Sequence, residues 1–253
     1  MMQTFPILRA IGLTAILVAA GAGLARAQAQ IYVLESSAPS VKVGGGYALT
    51  DSITIPAGSS IRAVMPSGKT QTIRGPYSGP VGDLAKGEKP NEGVIAWIKN
   101  LLQTGGVSER TPGATRSMRT PEPRASFSWT DVPVNVDSTF CIEKGAKPQL
   151  LRAPSPKSER VTVVDKAGAG RADVEWAAGS ETVSWPAEIA PRPDATYVLL
   201  APDNRPSRQV KLRVLERLPG DDDVLAELAT RDCKHQFDAW LKQKTAEGKR
   251  KAS

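Results

Sequence analysis

The chain has 253 residues, of which 40% are hydrophobic and 5% aromatic, and it holds 22 Gly and 20 Pro. This length allows one or two domains with packed cores, and the many turn-forming residues favour short strands over long helices. The formal charge of +7 comes without a nucleic-acid-binding motif, so nucleic acid is not an expected partner.

The first 27 residues have the pattern of a secretory signal peptide. Arg9 precedes an apolar run, residues 10–24, which is short for a membrane span, and Ala25-Arg26-Ala27 places small residues at the cleavage positions. We therefore expect a mature chain that begins near Gln28 and is periplasmic or secreted, with no membrane span after cleavage. A retained membrane anchor is the alternative.

The mature chain remains basic. Without residues 1–27, 31 basic side chains stand against 26 acidic ones, a formal charge of +5. Such a surface favours anionic partners, such as cell-wall polymers or lipid head groups, although in most basic proteins the charge serves solubility alone.

Residues 30–80 predict short strands separated by turns. Pro66-Ser67-Gly68 lies between two β-prone runs, 60–65 and 69–74, and predicts a hairpin because Pro presets φ and Gly accepts a positive φ. The Gly-Lys-Thr that follows is not a P-loop, since Ala63 stands where the early Gly is needed and no helix follows. Lys69 is thus predicted to be an exposed residue at a strand start, and no cofactor is expected.

Residues 91–102 predict an amphipathic helix with Asn91 as its N-cap. Its apolar face consists of Val94, Trp97, Ile98, Leu101 and Leu102. We expect this face to pack within its own domain, the alternative being a docking helix for a partner. Residues 103–125 lack apolar periodicity and are rich in Gly, Pro, Ser and Arg, which predicts a linker between a first domain, 28–102, and a second.

From residue 126 onward, short strands recur at regular spacing with turns between them, which is typical of a β-sandwich. In the last of them, Val210, Leu212 and Val214 alternate with Lys211 and Arg213. The predicted strands are 127–129, 139–143, 149–152, 160–165, 172–177, 182–185, 196–200 and 209–214.

The C-terminal region predicts one closing helix over 221–243 at the end of a sandwich domain, 126–245. Asp221, Asp222 and Asp223 favour its N-terminus through capping and the helix dipole. Residues 246–253 predict a basic, frayed tail.

Cys141 and Cys233 are the only cysteines. Export implies an oxidising compartment, so we predict a disulfide between them, with the closing helix covering the sheet face that Cys141 occupies. The cysteines lack metal-ligand spacing and His235 is the only histidine, so no metal site is expected.

No catalytic constellation emerges from the sequence, and no catalytic residue is predicted. His235 is the only histidine available to a Ser–His–Asp triad and is expected to be an exposed helix residue. Asp173 and Glu175 alternate on a strand, a pattern common on solvated faces.

Two regions resemble known families. Residues 46–70, with the Ala57-Gly58-Ser59 step and the Ser67-Gly68 hairpin, resemble the FecR-type periplasmic domain. Known members relay signals to sigma factors through a cytoplasmic N-terminus, where this chain has the predicted signal peptide. Residues 193–197, ending in Tyr197, are similar to the tyrosine corner of immunoglobulin-like or fibronectin type III sandwiches, although Pro191 replaces the Leu often found there.

These features predict a mainly β protein, with a small FecR-like β domain followed by a β-sandwich that ends in a C-terminal helix. The expected function is a non-catalytic binding or regulatory protein of the cell envelope, whose partner is an envelope protein or an anionic cell-wall polymer. The alternatives are a carboxylate-dependent envelope hydrolase and a structural envelope protein.

Overall fold

The structure, a computed structural model, describes residues 30–103, 126–168, 170–200 and 207–252. The predicted signal peptide, 1–27, and the predicted linker after Gln103 lie outside these residues. The described part is mainly β, with several sheets and a helical C-terminal region.

The N-terminal lobe, residues 30–103, contains six short strands and two helices. Four strands form an antiparallel sheet in the order β2-β1-β4-β5, and β3 pairs with β6. The elements are β1 (Gln30–Ser36), β2 (Gly46–Ala48), β3 (Ser52–Ile55), β4 (Ser60–Val64), β5 (Thr70–Arg74), β6 (Tyr77–Pro80), α1 (Val81–Leu84) and α2 (Glu92–Gln103).

The predicted hairpin is confirmed. β4 and β5 are antiparallel with Val64 opposite Thr70, and Gly68 has a φ of 89°. No helix follows the Gly-Lys-Thr stretch, and the Lys69 side chain is 60% exposed. Asn91 caps α2, as predicted, by accepting a hydrogen bond from the Val94 N–H at 3.2 Å.

The sandwich, residues 126–215, has two sheets of parallel and antiparallel pairs. Their orders are β11-β10-β13-β14-β8 and β12-β9-β7. The strands are β7 (Asp131–Pro133), β8 (Ser138–Glu143), β9 (Gln149–Leu151), β10 (Glu159–Asp165), β11 (Arg171–Trp176), β12 (Thr182–Ser184), β13 (Thr196–Leu200) and β14 (Arg208–Leu215). Side chains from both sheets, including Val132, Leu150, Phe140 and Leu212, fill one core between them.

One predicted strand was wrong, and two strands were missed. Residues 127–129 are not a strand, because Phe127 and Trp129 pack edge-to-face on each other and against the helical side of the molecule. β7 and β6 were missed, since each is short and takes its hydrogen-bond partners from a distant strand.

Tyr197 is hydrogen-bonded to the segment that precedes β13. Its buried hydroxyl donates to the Ala190 carbonyl at 3.1 Å and accepts from the Arg192 N–H at 3.0 Å. The ring also packs edge-to-face against Trp185, with 4.9 Å between centroids. The side chain thus ties the loop before β13 to the sandwich core.

The prediction of one closing helix over 221–243 was wrong. The region forms two helices, α3 (Val224–Thr230) and α4 (Lys234–Ala252). Asp232 adopts a left-handed φ of 60°, and the Cys233 N–H bonds to the Leu228 carbonyl at 2.8 Å, which ends α3. The chain therefore turns before Cys233, and a second helix begins at Lys234.

The prediction of a frayed tail over 246–253 was also wrong for residues 246–252, which the structure describes. α4 continues to Ala252 and packs along β1. Thr245 and Gly248 are buried against this strand, and the Tyr32 hydroxyl lies 3.3 Å from the Thr245 hydroxyl. Packing against the N-terminal lobe supplies the stability that the basic sequence alone does not indicate.

A shared apolar cluster joins the N-terminal lobe to the C-terminal helices. The apolar face of α2 packs into this cluster. It therefore contacts α3 and α4 as well as the strands of its own lobe. The buried members of the cluster are Tyr32, Leu34, Val64, Val94, Ile98, Leu101, Cys141, Leu215, Val224, Leu225, Leu228, Cys233, Phe237, Trp240 and Leu241.

Gly68 and the acidic residues before α3 also make contacts between the N-terminal lobe and the C-terminal region. A Cβ on Gly68 would collide with Val94 and with the backbone of Ala226, so the hairpin tip packs directly on α2 and α3. Asp223 occupies the N-cap position of α3 but makes no side-chain capping hydrogen bond, and Asp221 and Asp222 do not cap the helix. They pair with Arg62 of β4 at 2.7 and 3.0 Å, which corrects the capping prediction.

Substitution of Gly248 by Ala should destabilise the protein by about 1–3 kcal/mol, because the added Cβ would fall inside the contact distance of the Leu34 carbonyl oxygen. Urea unfolding measures the loss. Gly220→Ala is the matched control, since a Cβ there meets open space and its expected change is within about 0.5 kcal/mol. Equal midpoints for the two variants would contradict the packing of α4 on β1.

Candidate functional site

The structure joins Cys141 and Cys233 in a disulfide, with 5.9 Å between the Cα atoms. Both residues are fully buried. Cys141 faces the helices, whereas Phe140 and Ile142 on either side of it face the sandwich core. α4 therefore lies on the predicted side of β8.

Gln236 adds hydrogen bonds to the contact between α4 and β8. β8 is the edge strand of its sheet, so the N–H and C=O of Cys141 point away from β14. The Gln236 side-chain amide accepts from the Cys141 N–H at 2.6 Å and donates to the Cys141 carbonyl at 2.9 Å. It also donates to the Ser128 carbonyl at 2.9 Å. One buried side chain thus satisfies backbone groups that the sheet leaves open.

A basic cleft lies where the N-terminal lobe meets α4. It has a volume of about 410 Å³, and Lys42, Lys242 and Lys249 line it. Its apolar wall is formed by Leu101 and Leu102, at the end of α2. None of the described lining residues is acidic. Two lysines of α4 and one from the loop after β1 therefore line one concave surface, a chemistry suited to anions.

Tyr32 also lines the basic cleft. Burial raises the pKa of this phenol, while its hydrogen bond with Thr245 acts in the opposite direction. The hydroxyl is therefore neutral at physiological pH and can only donate or accept a hydrogen bond there.

A polar cleft lies farther along α4, between this helix and the sandwich. Its volume is about 200 Å³. Its lining residues are Ser126, Ser128, Asp131, Pro133, Asn135, Val136, Phe140, Leu151, His235, Gln236, Asp238, Ala239 and Lys242. Burial raises the pKa of the Asp238 carboxyl, against the opposing effect of Lys234, Lys242 and His235.

His235 was predicted to be an exposed helix residue. The structure instead places it, half-buried, in the wall of the polar cleft. The carboxylates singled out from the sequence, Asp173 and Glu175, lie on the exposed face of β11. There Asp173 accepts from the Thr162 hydroxyl and Glu175 pairs with Arg160. Asp131 and Asp238, which sequence reasoning missed, share the polar cleft. Glu216, Asp223 and Glu227 share another cleft, between the end of β14 and α3.

The described ranges contain no group of three His, Cys, Asp or Glu side chains placed to hold a metal ion. Among the same residues, no helix has both the length and the apolar character that crossing a membrane requires.

The sequence carries one signal for these clefts. His235, Asp238, Lys242 and Lys249 recur at helical spacing, but Lys249 was not joined to the other three because the helix was predicted to end at residue 243. The contributions of Lys42 and Asp131 have no local signal, since tertiary contacts alone bring them to α4. Comparison of the chain with models of known protein families and with curated proteins finds no match.

Proposed function

We propose that this protein is an exported, non-catalytic binding or regulatory module of the cell envelope, of FecR-like type, and that its basic cleft receives an anionic partner. The observation that carries the proposal is the convergence of Lys42, Lys242 and Lys249 on a cleft whose described lining has no acidic residue. An anionic cell-wall polymer is the preferred partner, and an acidic envelope protein is the other.

Further features support the individual parts of this proposal. The signal-peptide pattern and the intramolecular disulfide agree with an oxidising compartment outside the cytoplasm. The hairpin at residues 66–68, with β4 and β5 on either side, agrees with the FecR-like resemblance of residues 46–70. The hydrogen bonds of Tyr197 agree with an immunoglobulin-like or fibronectin type III-like sandwich.

We expect the mature chain to sediment with purified peptidoglycan. Replacing Lys42, Lys242 and Lys249 together by Gln should weaken this binding about tenfold or more, because three cation–anion contacts are lost. The binding should also weaken as salt is added, since the cleft is open to solvent and its charges are screened.

The control is a variant with the same change of charge on the sandwich. Lys147, Lys157 and Lys166 are exposed and lie outside the basic cleft, so their joint replacement by Gln should leave the affinity within about twofold of the original. Equal losses in the two variants, or no sedimentation of the unaltered protein, would refute binding through the basic cleft.

A carboxylate-dependent hydrolase is the second candidate function, because Asp131 and Asp238 share the polar cleft and the pKa of Asp238 is raised. Size analysis of the polymer after incubation with the protein separates the two candidates. Intact polymer supports the binding module, and shortened polymer supports the hydrolase.

A further inference from the structure

The polar cleft lies beside β7, an edge strand of the three-stranded sheet. The parallel pairing of β7 with β9 uses the carbonyl of Thr130 and the N–H of Val134. Backbone groups alternate in direction along a strand, so those of Asp131 and Pro133 point away from β9. Asp131 and Pro133 line the polar cleft, whereas Thr130 and Val134 do not. The unpaired edge of β7 therefore lies on the side of the cleft.

This edge offers hydrogen-bond acceptors but no free donor. Pro133 has no N–H, and the Asp131 N–H already donates to the Ser128 hydroxyl at 3.1 Å. The carbonyl oxygens of Asp131 and Pro133 accept no hydrogen bond from any residue that the structure describes. A β ladder needs donors as well as acceptors on both strands, so the edge is not suited to the addition of a peptide strand.

Two carboxylates add further acceptors to the polar cleft. Asp131 accepts one hydrogen bond, from the Thr130 hydroxyl at 3.2 Å. Asp238 of α4 makes no hydrogen bond or close ion pair with any residue that the structure describes. Burial raises the pKa of its carboxyl because it removes part of the water around the charge. A cation that donates hydrogen bonds would replace that water.

The remaining walls of the polar cleft suit one long side chain. Its volume of about 200 Å³ is below the range of about 300–1,000 Å³ that is typical of pockets for whole small molecules. Besides its two carboxylates, the described lining holds one ammonium, of Lys242, and one imidazole, of His235. Its apolar members are Pro133, Val136, Phe140, Leu151 and Ala239. An occupant therefore needs a positive group rich in donors and an apolar stem.

We propose that the polar cleft binds an arginine side chain, which a partner protein presents on an exposed segment. The guanidinium donates to the carboxylates of Asp131 and Asp238 and to the outward carbonyls of β7, while its methylene groups lie along the apolar wall. A guanidinium has five N–H donors and no acceptor, and it is less strongly hydrated than the ammonium of a lysine. Arginine binding here does not depend on the basic cleft, which carries the proposed function.

NMR titration of the isotope-labelled mature protein tests this site. The probe is an acetylated and amidated pentapeptide with a central arginine between alanines. Its affinity should exceed that of the same peptide with citrulline by about tenfold or more, because citrulline keeps the shape of arginine but carries no charge. A lysine peptide should bind about threefold or more weakly than the arginine peptide, since a point charge does not match two carboxylates as a planar fork does. The arginine peptide should shift the amide signals of Asn135 and Asp238.

Asp131→Asn combined with Asp238→Asn should remove the preference for arginine over citrulline. Both substitutions preserve the size of the side chain, and the amide spectrum of the variant shows whether the fold is intact. Asp173→Asn with Glu175→Gln, on the exposed face of β11, is the control for the same change of charge and should keep the preference. Equal affinities for the arginine and citrulline peptides, or equal losses in the two variants, would refute the site.

The basic cleft and the arginine site can be tested separately, because Lys242 is the only residue of the described linings that they share. Lys42→Gln with Lys249→Gln should weaken binding to peptidoglycan but leave the affinity for the arginine peptide within about twofold of the original. If the unaltered protein binds the peptide but not peptidoglycan, the arginine site stands and the proposed function fails. The reverse result refutes the arginine site alone. Free arginine that binds as tightly as the peptide would overturn the choice of a protein partner.

Discussion

Removal of the Cys141–Cys233 disulfide is expected to lower the free energy of unfolding by up to about 4–5 kcal/mol. The two residues are 92 positions apart, so the bond removes much of the freedom that the unfolded chain would otherwise have. It also fixes the start of α4 to the edge strand β8 of the sandwich. Urea unfolding of a Cys141→Ala and Cys233→Ala double variant measures the loss.

Loss of the disulfide should affect some elements of the structure more than others. Without the bond, α4 keeps its apolar contacts through Phe237, Trp240 and Leu241 but should open more often. Amide hydrogen exchange is therefore expected to accelerate along α4 and in its neighbour β1, and much less in β10 and β13. A reducing agent should lower the melting temperature of the unaltered protein and leave that of the double variant unchanged. Unchanged stability of the double variant would show that the bond has no stabilising role.

Gln236→Leu is expected to destabilise the protein by at least about 2 kcal/mol. The leucine fills a similar volume but leaves the N–H and C=O of Cys141 and the carbonyl of Ser128 without the amide that now bonds to them. Buried backbone groups left without a partner cost about 1–3 kcal/mol each. Thermal or urea unfolding measures the change.

Gln243→Leu is the matched control, because this glutamine lies on the same helix and its hydrogen bonds, from the Phe127 N–H and to Glu247, are exposed to solvent, so water can replace them. Its expected change is within about 0.5 kcal/mol. If the two variants lose the same stability, the amide of Gln236 contributes nothing specific. If only Gln236→Leu is destabilised, the contact between α4 and β8 depends on this polar group as well as on apolar packing.

Local patterns predicted the elements whose partners lie nearby in the chain. The alternation of Val210, Leu212 and Val214 with Lys211 and Arg213 predicted β14 and its inward face, because successive side chains of a strand point to opposite faces. Pro66-Ser67-Gly68 predicted the β4–β5 hairpin, since its φ requirements belong to the turn residues themselves. The alternation of Cys141 with its neighbours likewise placed it opposite the sandwich core.

The errors fall where a distant segment decides the structure. The tail after residue 245 was predicted to fray because its charged sequence has no local support for a helix. β1 provides that support through contacts with Thr245 and Gly248. Asp221 and Asp222 were predicted to cap a helix because they precede α3. Both carboxylates instead form ion pairs with the guanidinium of Arg62.

The sequence by itself determined that the protein is mainly β, where α2 starts, and which residues form the hairpin, because these depend on side-chain periodicity and turn chemistry. Only the tertiary structure decided that α3 and α4 are separate helices, that Gln236 pairs with the edge of β8, and that Lys42 and Asp131 line clefts with residues of α4. Each of these contacts joins segments far apart in the chain. The free energy that stabilises the contacts comes from burial and hydrogen bonds, which exist only after those segments have packed together.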